Sequence, residues 1–260
     1  MRYADGLLVS DALWFEGSNG IAFVRRGAQV ASWPSSHHCS SGEPVTSRDG
    51  SHVAWVTVRC PESEDRSVAA LHVARSDGSG ELTRSIGHGL AAAVGFVGES
   101  VVYTLGFEGG AWLTDGRAHP RRIPGVDHVR AVSPAGAVIA QTGDTARLVM
   151  DVSGTILWRA EAGDLVSFSP DGTKVLALLE EPRISVLDAR NGEAVTAVDI
   201  PAGAEAGSAV WETDQSLLML VRRDGTVGVL RVRLDGPLER ATTPVPAGAG
   251  DSPVTLLPQP

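Results

Sequence analysis

The side chains of this 260-residue sequence that could do chemistry are carboxylates and imidazoles standing just ahead of apolar runs: Glu43, His88, Asp127, His128, Glu161, Asp164, Glu205 and Asp251. Brought to one place, such groups would bind a cation such as calcium, hold a cationic ligand, or trade protons with a substrate. Left apart, they are ordinary solvated loop residues. His128 and Asp164 each precede a glycine, Gly136 and Gly172, by eight positions. A repeated element would set them at equivalent places, with Glu43, His88, Asp127 and Glu205 around the same opening.

His37, His38 and Cys39 carry the ligand types that zinc prefers. Adjacent histidines point apart on an extended chain, and no second His or Cys cluster stands at ligand spacing, so a polar surface loop is the expected role. Cys39 and Cys60 are the two cysteines. Counting outward from a hairpin centred on Asp49-Gly50 sets them opposite each other on a closely spaced rung, which would allow a disulfide. Pro44 would interrupt that ladder, and the alternative is two free thiols.

Six tryptophans are spread through the chain. Most suit core packing, because the ring buries a large area. Trp33 and Trp211 stand close to turns and are the two expected at a partner contact. Arg121, Arg122, Arg222 and Arg223 read as solvated hairpin residues. There is no G-x-S-x-G elbow, P-loop or strand-linked G-x-G-x-x-G, and SRDGS and SPDGT lack the residue that sialidase Asp-boxes carry between Asp and Gly.

What must position these groups is a set of short strands. Runs rich in β-branched residues recur as VAWVTV (53–58), SVVYTL (100–105), AVIAQ (137–141), KVLALL (174–179) and SLLMLV (216–221), several too apolar to have a wet face. The turn signals are Asp5-Gly6, Asp49-Gly50, Gly98-Glu99, Ala135-Gly136, Asp171-Gly172 and Asp214-Gln215, 36 to 49 residues apart. A four-stranded propeller blade occupies about 40 to 45 residues. Glycine accepts positive φ, so Asp-Gly suits the hairpin between a blade's first two strands. The sharpest repeat predicts strands at 165–169, 174–179, 184–188 and 194–200, and the next at 209–212, 217–221, 227–233 and 239–245.

FSPDGTKVLALL (168–179), TSRDGSHVAWVTV (46–58) and VSPAGAVIA (132–140) resemble the repeat of TolB-like propellers and their bacterial WD-repeat relatives, over about five of six blades. The resemblance implies a fold and a binding role, without a chemistry. The Trp-Asp dipeptide of eukaryotic WD repeats is missing and their Gly-His pair occurs once, at Gly87-His88, so it does not recur with the repeat, which leaves that version of the blade hydrogen-bond network without its residues.

Composition agrees with a strand-rich globule: 43% hydrophobic residues, 30 glycines and 15 prolines make the chain too apolar for disorder and rich in turn formers. A net charge of −9 excludes a broad nucleic-acid surface. Lys174 is the only lysine, a bias of GC-rich bacterial genomes that carries no functional meaning. Asp5 and Asp11 interrupt the apolar stretch near the N-terminus, and no membrane-length apolar run occurs, so neither signal peptide nor membrane span is expected. The chain as given reads as cytoplasmic; a removed leader or a Cys39–Cys60 disulfide would place it outside.

The expectation is thus a single all-β domain over residues 1–260, a six-bladed β-propeller of four-stranded antiparallel blades, closed by N- and C-terminal strands sharing one blade. Asp5-Gly6 has too few residues ahead of it for an inner strand, and PVTLLP (253–258) would supply one beside residues 7–9, removing the open edge of a monomer. A rival assignment sets four strands within residues 6–33. The expected function is noncatalytic binding of a protein or peptide partner without a cofactor. The alternative is a metal-dependent hydrolase or lyase at the channel mouth.

Overall fold

A computed structural model describes residues 2–4, 7–9, 13–15, 21–25, 28–33, 38–41, 44–59, 67–106, 109–142, 146–161, 163–178 and 183–247. Among these residues there is no helix, and therefore none long and apolar enough to cross a membrane. They fall into two compact units, one within Met1–Leu157 and one within Trp158–Gln259.

In the first unit, Arg2–Ala4 pairs with Leu7–Val9 across Asp5-Gly6, so three residues do suffice for a strand ahead of that turn and the expectation of none is corrected. Leu13–Phe15, Ile21–Arg25 and Ala28–Trp33 form a three-stranded sheet. The strand count over 7–33 is that of the rival assignment. PVTLLP lies outside the described residues.

Next comes a five-stranded sheet in which His38–Ser41 and Val45–Thr46 both pair with His52–Arg59, followed by Val68–Arg75 and Leu82–His88. A four-stranded sheet runs Ala91–Val97, Ser100–Leu105, Ala111–Thr114, Arg121–Arg122. Another runs His128–Val132, Ala137–Thr142, Ala146–Asp151, Ile156–Arg159.

The second unit holds the sheet Asp164–Phe168, Lys174–Leu178, Arg183–Asp188, Ala194–Asp199. It also holds Glu205–Thr213, Ser216–Arg223, Thr226–Arg233 and Leu238–Arg240, with Val245–Pro246 also pairing to Thr226–Arg233. The five turn signals among the described residues each join adjacent antiparallel strands.

Central strands are buried on both faces, as their continuous apolar runs require. Along His52–Arg59, Ala54, Val56 and Val58 pack with Leu71, Phe96 and Tyr103, while Val53 and Trp55 on the opposite face pack with Ala74. Each fully buried valine or leucine among them contributes about 1.5–3 kcal/mol. Outer strands are wetter: along Ala194–Asp199 only Thr196 and Val198 are partly covered.

The Ser-x-Asp-Gly turn is a small hydrogen-bonded unit. Ser169 Oγ donates to Asp171 Oδ1 at 2.6 Å and accepts from the Lys174 N–H at 3.0 Å, while Asp171 Oδ1 accepts from the Thr173 N–H at 3.0 Å and from its hydroxyl at 2.8 Å. Ser47, Asp49, Ser51 and His52 repeat the pattern. At Ser133-Pro134-Ala135-Gly136 the carboxylate is missing, and the loop closes one residue sooner, with the Ser133 N–H bonded to Ala137 where Ser169 reaches Lys174. The aspartate therefore sets the loop length by holding an extra residue.

Burial works against the charged form of Asp171, but its hydrogen bonds from Ser169 and Thr173 outweigh burial and hold the carboxyl below its usual range. A carboxyl depressed by folding stabilises fully above its unfolded pKa, near 3.9, and loses that contribution as pH falls through the folded value. Thermal melts should therefore drop below about pH 4, and the double variant Asp49→Asn/Asp171→Asn should melt lower at neutral pH with a flatter acid limb. An acid limb identical to the parent's would remove these turns from the acid response.

Candidate functional site

A cleft of about 180 Å³ opens in the first unit between two neighbouring sheets, lined by Ser85 and Ile86 on one side and Tyr103, Leu105, Trp112, His119 and Pro120 on the other. Its near wall arises from a defect in the outer strand Leu82–His88. The ladder shifts register between Ser85 and Gly87, and Gly87 takes φ +131°, which leaves Ile86 out of the pairing. Freed from its neighbour strand, Ile86 packs with Phe96, Val101 and Tyr103.

The far wall is a cross-strand row. Tyr103 faces Trp112, and Trp112 faces Arg122, so the three share one face of their sheet. The Trp112 indole N–H donates to the Gly109 carbonyl at 3.0 Å, which fixes the ring. Tyr103 is 1% exposed, and burial pushes its hydroxyl up to about 12 against the opposing pull of Arg84, so it stays a neutral phenol.

The segment after Thr114 roofs the cleft. The Asp115 carboxylate accepts from the Ala118 N–H at 2.7 Å and the Arg117 N–H at 2.8 Å, and these two bonds hold it below the usual carboxylate range. Arg84 reaches across from the outer strand to the Ala118 carbonyl and Thr114 Oγ1. The roof is thereby tied to both sheets. Drug-sized sites run about 300–1,000 Å³; this cleft is the size of one large side chain.

A second constellation escaped sequence reasoning. His72 stacks on Trp55 with ring centroids 4.9 Å apart and planes 5° from parallel. Its Nδ1 lies 3.0 Å from Glu81 Oε1 and 3.1 Å from Thr83 Oγ1, and its Nε2 lies 2.9 Å from Thr57 Oγ1. The carboxylate can only accept, so Nδ1 donates to it, while Nε2 meets the Thr57 hydroxyl. That order of groups serves nucleophilic catalysis elsewhere. Here Thr57 is 9% exposed, Trp55 is 1% exposed, and neither lines the cleft, so the network braces the sheet. Trp55-x-Thr57 with His72 gives little sequence signal because the three meet only across strands.

The expected channel-mouth residues sit at strand ends. His88 is exposed at the end of its outer strand, with Nδ1 3.2 Å from the Ser67 carbonyl. Asp127 is partly buried, and its backbone N–H donates to Gln141. His128 and Asp164 open the inner strands His128–Val132 and Asp164–Phe168 at matching registers, each just ahead of a ladder shift. Burial, helped by Arg130, keeps His128 below the usual imidazole range and thus neutral. Glu205 is exposed and faces Arg222. Glu43 and Asp251 lie outside the described residues. Among the described residues no three His, Cys, Asp or Glu side chains converge to hold a metal ion.

Trp33 ends the strand Ala28–Trp33 opposite Ile21. Trp211 is corrected from contact to core: it is 4% exposed and packed among Leu176, Ile184, Leu217 and Met219. Its place near a turn misled because Glu205–Thr213 carries it back onto the sheet. The Cys39 count holds next to the turn, where Val45 faces Ala54 and Thr46 faces Val53. Beyond Pro44 it slips, with Ser41 facing Thr57 and His38 facing Arg59, and Cys39 falls at the register shift. Cys60 lies outside the described residues.

Over 94% of this chain and 87% of the other, the fold matches the β-propeller domain of Cps50 (Swd1) from Myceliophteria thermophila, with a TM-score of 0.59 and 12% identity. A chain of the Mitotic Checkpoint Complex matches over 94% and 80%, with a TM-score of 0.60 and 13% identity. An oligogalacturonate lyase from Vibrio parahaemolyticus matches over 86% and 76%, with a TM-score of 0.63 and 11% identity. At these identities the likeness shows the fold, a β-propeller, and no activity. No protein-family profile and no curated protein sequence matches the chain.

Proposed function

We propose that this chain is a noncatalytic propeller that binds a protein or peptide partner, seating one partner side chain in the cleft between Ile86 and the Tyr103–Trp112 row. The cleft carries the reading: Trp112, its indole held by the Gly109 carbonyl, and the exposed His119 line it, and its volume, about 180 Å³, is close to that of one side chain. Anchoring in such a pocket is how a few residues come to dominate an interface, with Trp and Tyr over-represented among them. A similar chain belongs to the Mitotic Checkpoint Complex, which supports a protein partner. We propose with it one domain over residues 1–260, six blades, closure by the chain ends, and a monomer. For the alternative, a metal-dependent hydrolase or lyase, the described residues supply no converging ligand set.

The test is affinity capture with the purified chain, quantified by mass spectrometry against two variants. Trp112→Ala and His119→Ala should each deplete the same partner, the tryptophan change by about 30-fold, the equivalent of about 2 kcal/mol. His119 is exposed, so its variant should keep the parent's fold, which a melting curve checks. Equal capture by the parent and both variants would overturn the cleft as the contact.

A further inference from the structure

The segment that supplies His119 and Pro120 to the cleft has a charge opposite to that of the chain. Across the roof and the strand that follows, Asp115-Gly-Arg117-Ala-His119-Pro-Arg121-Arg122, three arginines and a histidine stand against one aspartate, in a protein of net charge −9. The single acid is occupied, bonded to the backbone of its own turn. Arg117, His119, Arg121 and Arg122 are exposed. Arg122 shares the face of Trp112, and its guanidinium lies over Gly110, where an added Cβ would come within 2.9 Å of Nε. Glycine at that position thus leaves room for the cation beside the aromatic row. Arg84 completes the basic border but is committed to holding the roof.

We infer that the partner is an acidic peptide segment: one large apolar side chain enters the cleft while flanking Asp or Glu carboxylates meet Arg117 and Arg122. This rests on the binding role proposed above and names its partner class. The pocket's size favours a single anchor, since about 180 Å³ is close to the volume of one large side chain. The rim sets the flanks, since guanidinium groups present paired donors that match a carboxylate. Salt limits the reach of the chain's other charges to about 8–10 Å, so a short acidic stretch feels the arginines. A long polyanion such as nucleic acid would run onto the acidic remainder and be repelled.

The test uses a phage-displayed library of random peptides selected on the full chain, followed by fluorescence anisotropy with the enriched peptides. The expected peptides hold one Phe, Trp or Leu with two or more acids within a few residues. The charge-reversed variant Arg117→Glu/Arg122→Glu should bind them about 10-fold or more weaker, while a melting curve shows it folded. Affinity of the parent should also fall steeply with added salt. Peptides that lose binding with Trp112→Ala and His119→Ala, yet carry no acids and tolerate the charge reversal, would overturn the acidic partner and leave the binding role standing. Enriched peptides indifferent to both cleft variants, or no enrichment at all, would overturn the two together.

Discussion

Trp211→Ala should cost about 3–5 kcal/mol of folding stability, in the range of large aromatic truncations in packed cores. At about 2–4 °C per kcal/mol for chains of this size, calorimetry would show a fall in Tm of about 10 °C. The ring is 4% exposed and sits amid the Leu176, Ile184, Val186, Leu217 and Met219 cluster, so its removal opens a cavity that strands cannot collapse to fill. Trp211→Phe should behave differently. The indole Nε1 is buried with no hydrogen-bond partner among the described residues, and an unsatisfied buried donor costs about 1–3 kcal/mol. Removing it compensates for lost area, and the phenylalanine variant should stay within about 1 kcal/mol of the parent. An unchanged Tm in the alanine variant, joined to weaker partner capture, would return Trp211 to the surface.

Gly95→Val should cost about 3 kcal/mol, at the upper end of overpacking penalties. A Cβ on Gly95 would lie 2.8 Å from Val132 Cβ, closer than real Cβ atoms approach, and 3.1 Å from its Cγ2. Gly95 belongs to one inner strand and Val132 to the next, and the nearest atom is Val132 Cβ, which no rotamer change can move. The backbone itself would have to move. Gly98→Ala is the control, since its Cβ meets nothing and only the φ of +59° opposes it, at about 1–2 kcal/mol. Urea midpoints for the two variants would separate close packing from backbone strain; equal losses would show that the inner strands do not touch there.

The repeating sheets were legible because each is punctuated by a turn whose chemistry is local. Asp171-Gly172 and Asn191-Gly192 bracket strands within a residue or so of their expected bounds. The N-terminal arrangement was less so, because Arg2–Ala4 is only three residues long and no periodicity shows in three residues. The cleft was not legible at all. Ile86 is available only because a bulge displaces it, and a register shift leaves no mark on composition. Tyr103 and Trp112 read as core residues, and Arg121 and Arg122 as solvated turn residues; their joint meaning arises when two sheets bring them side by side. The expected cluster of acids and histidines failed in the opposite way, since equal spacing from a glycine fixes register within a strand and says nothing about convergence.

One bond between turns bears on how far this protein can be divided. The Asp171 N–H donates at 2.7 Å to the Asp214 carboxylate, which belongs to the following repeat. The same two repeats share the apolar cluster that joins Leu176 and Ile184 to Trp211 and Leu217. Sealed at the tip and along the flank, they should melt as one cooperative block, although sequence repeats invite the idea of independent modules. Cutting the chain ahead of residue 205 would strip the preceding sheet of its cover and its tip ligand at once, so a shorter folded fragment is not to be had at that joint.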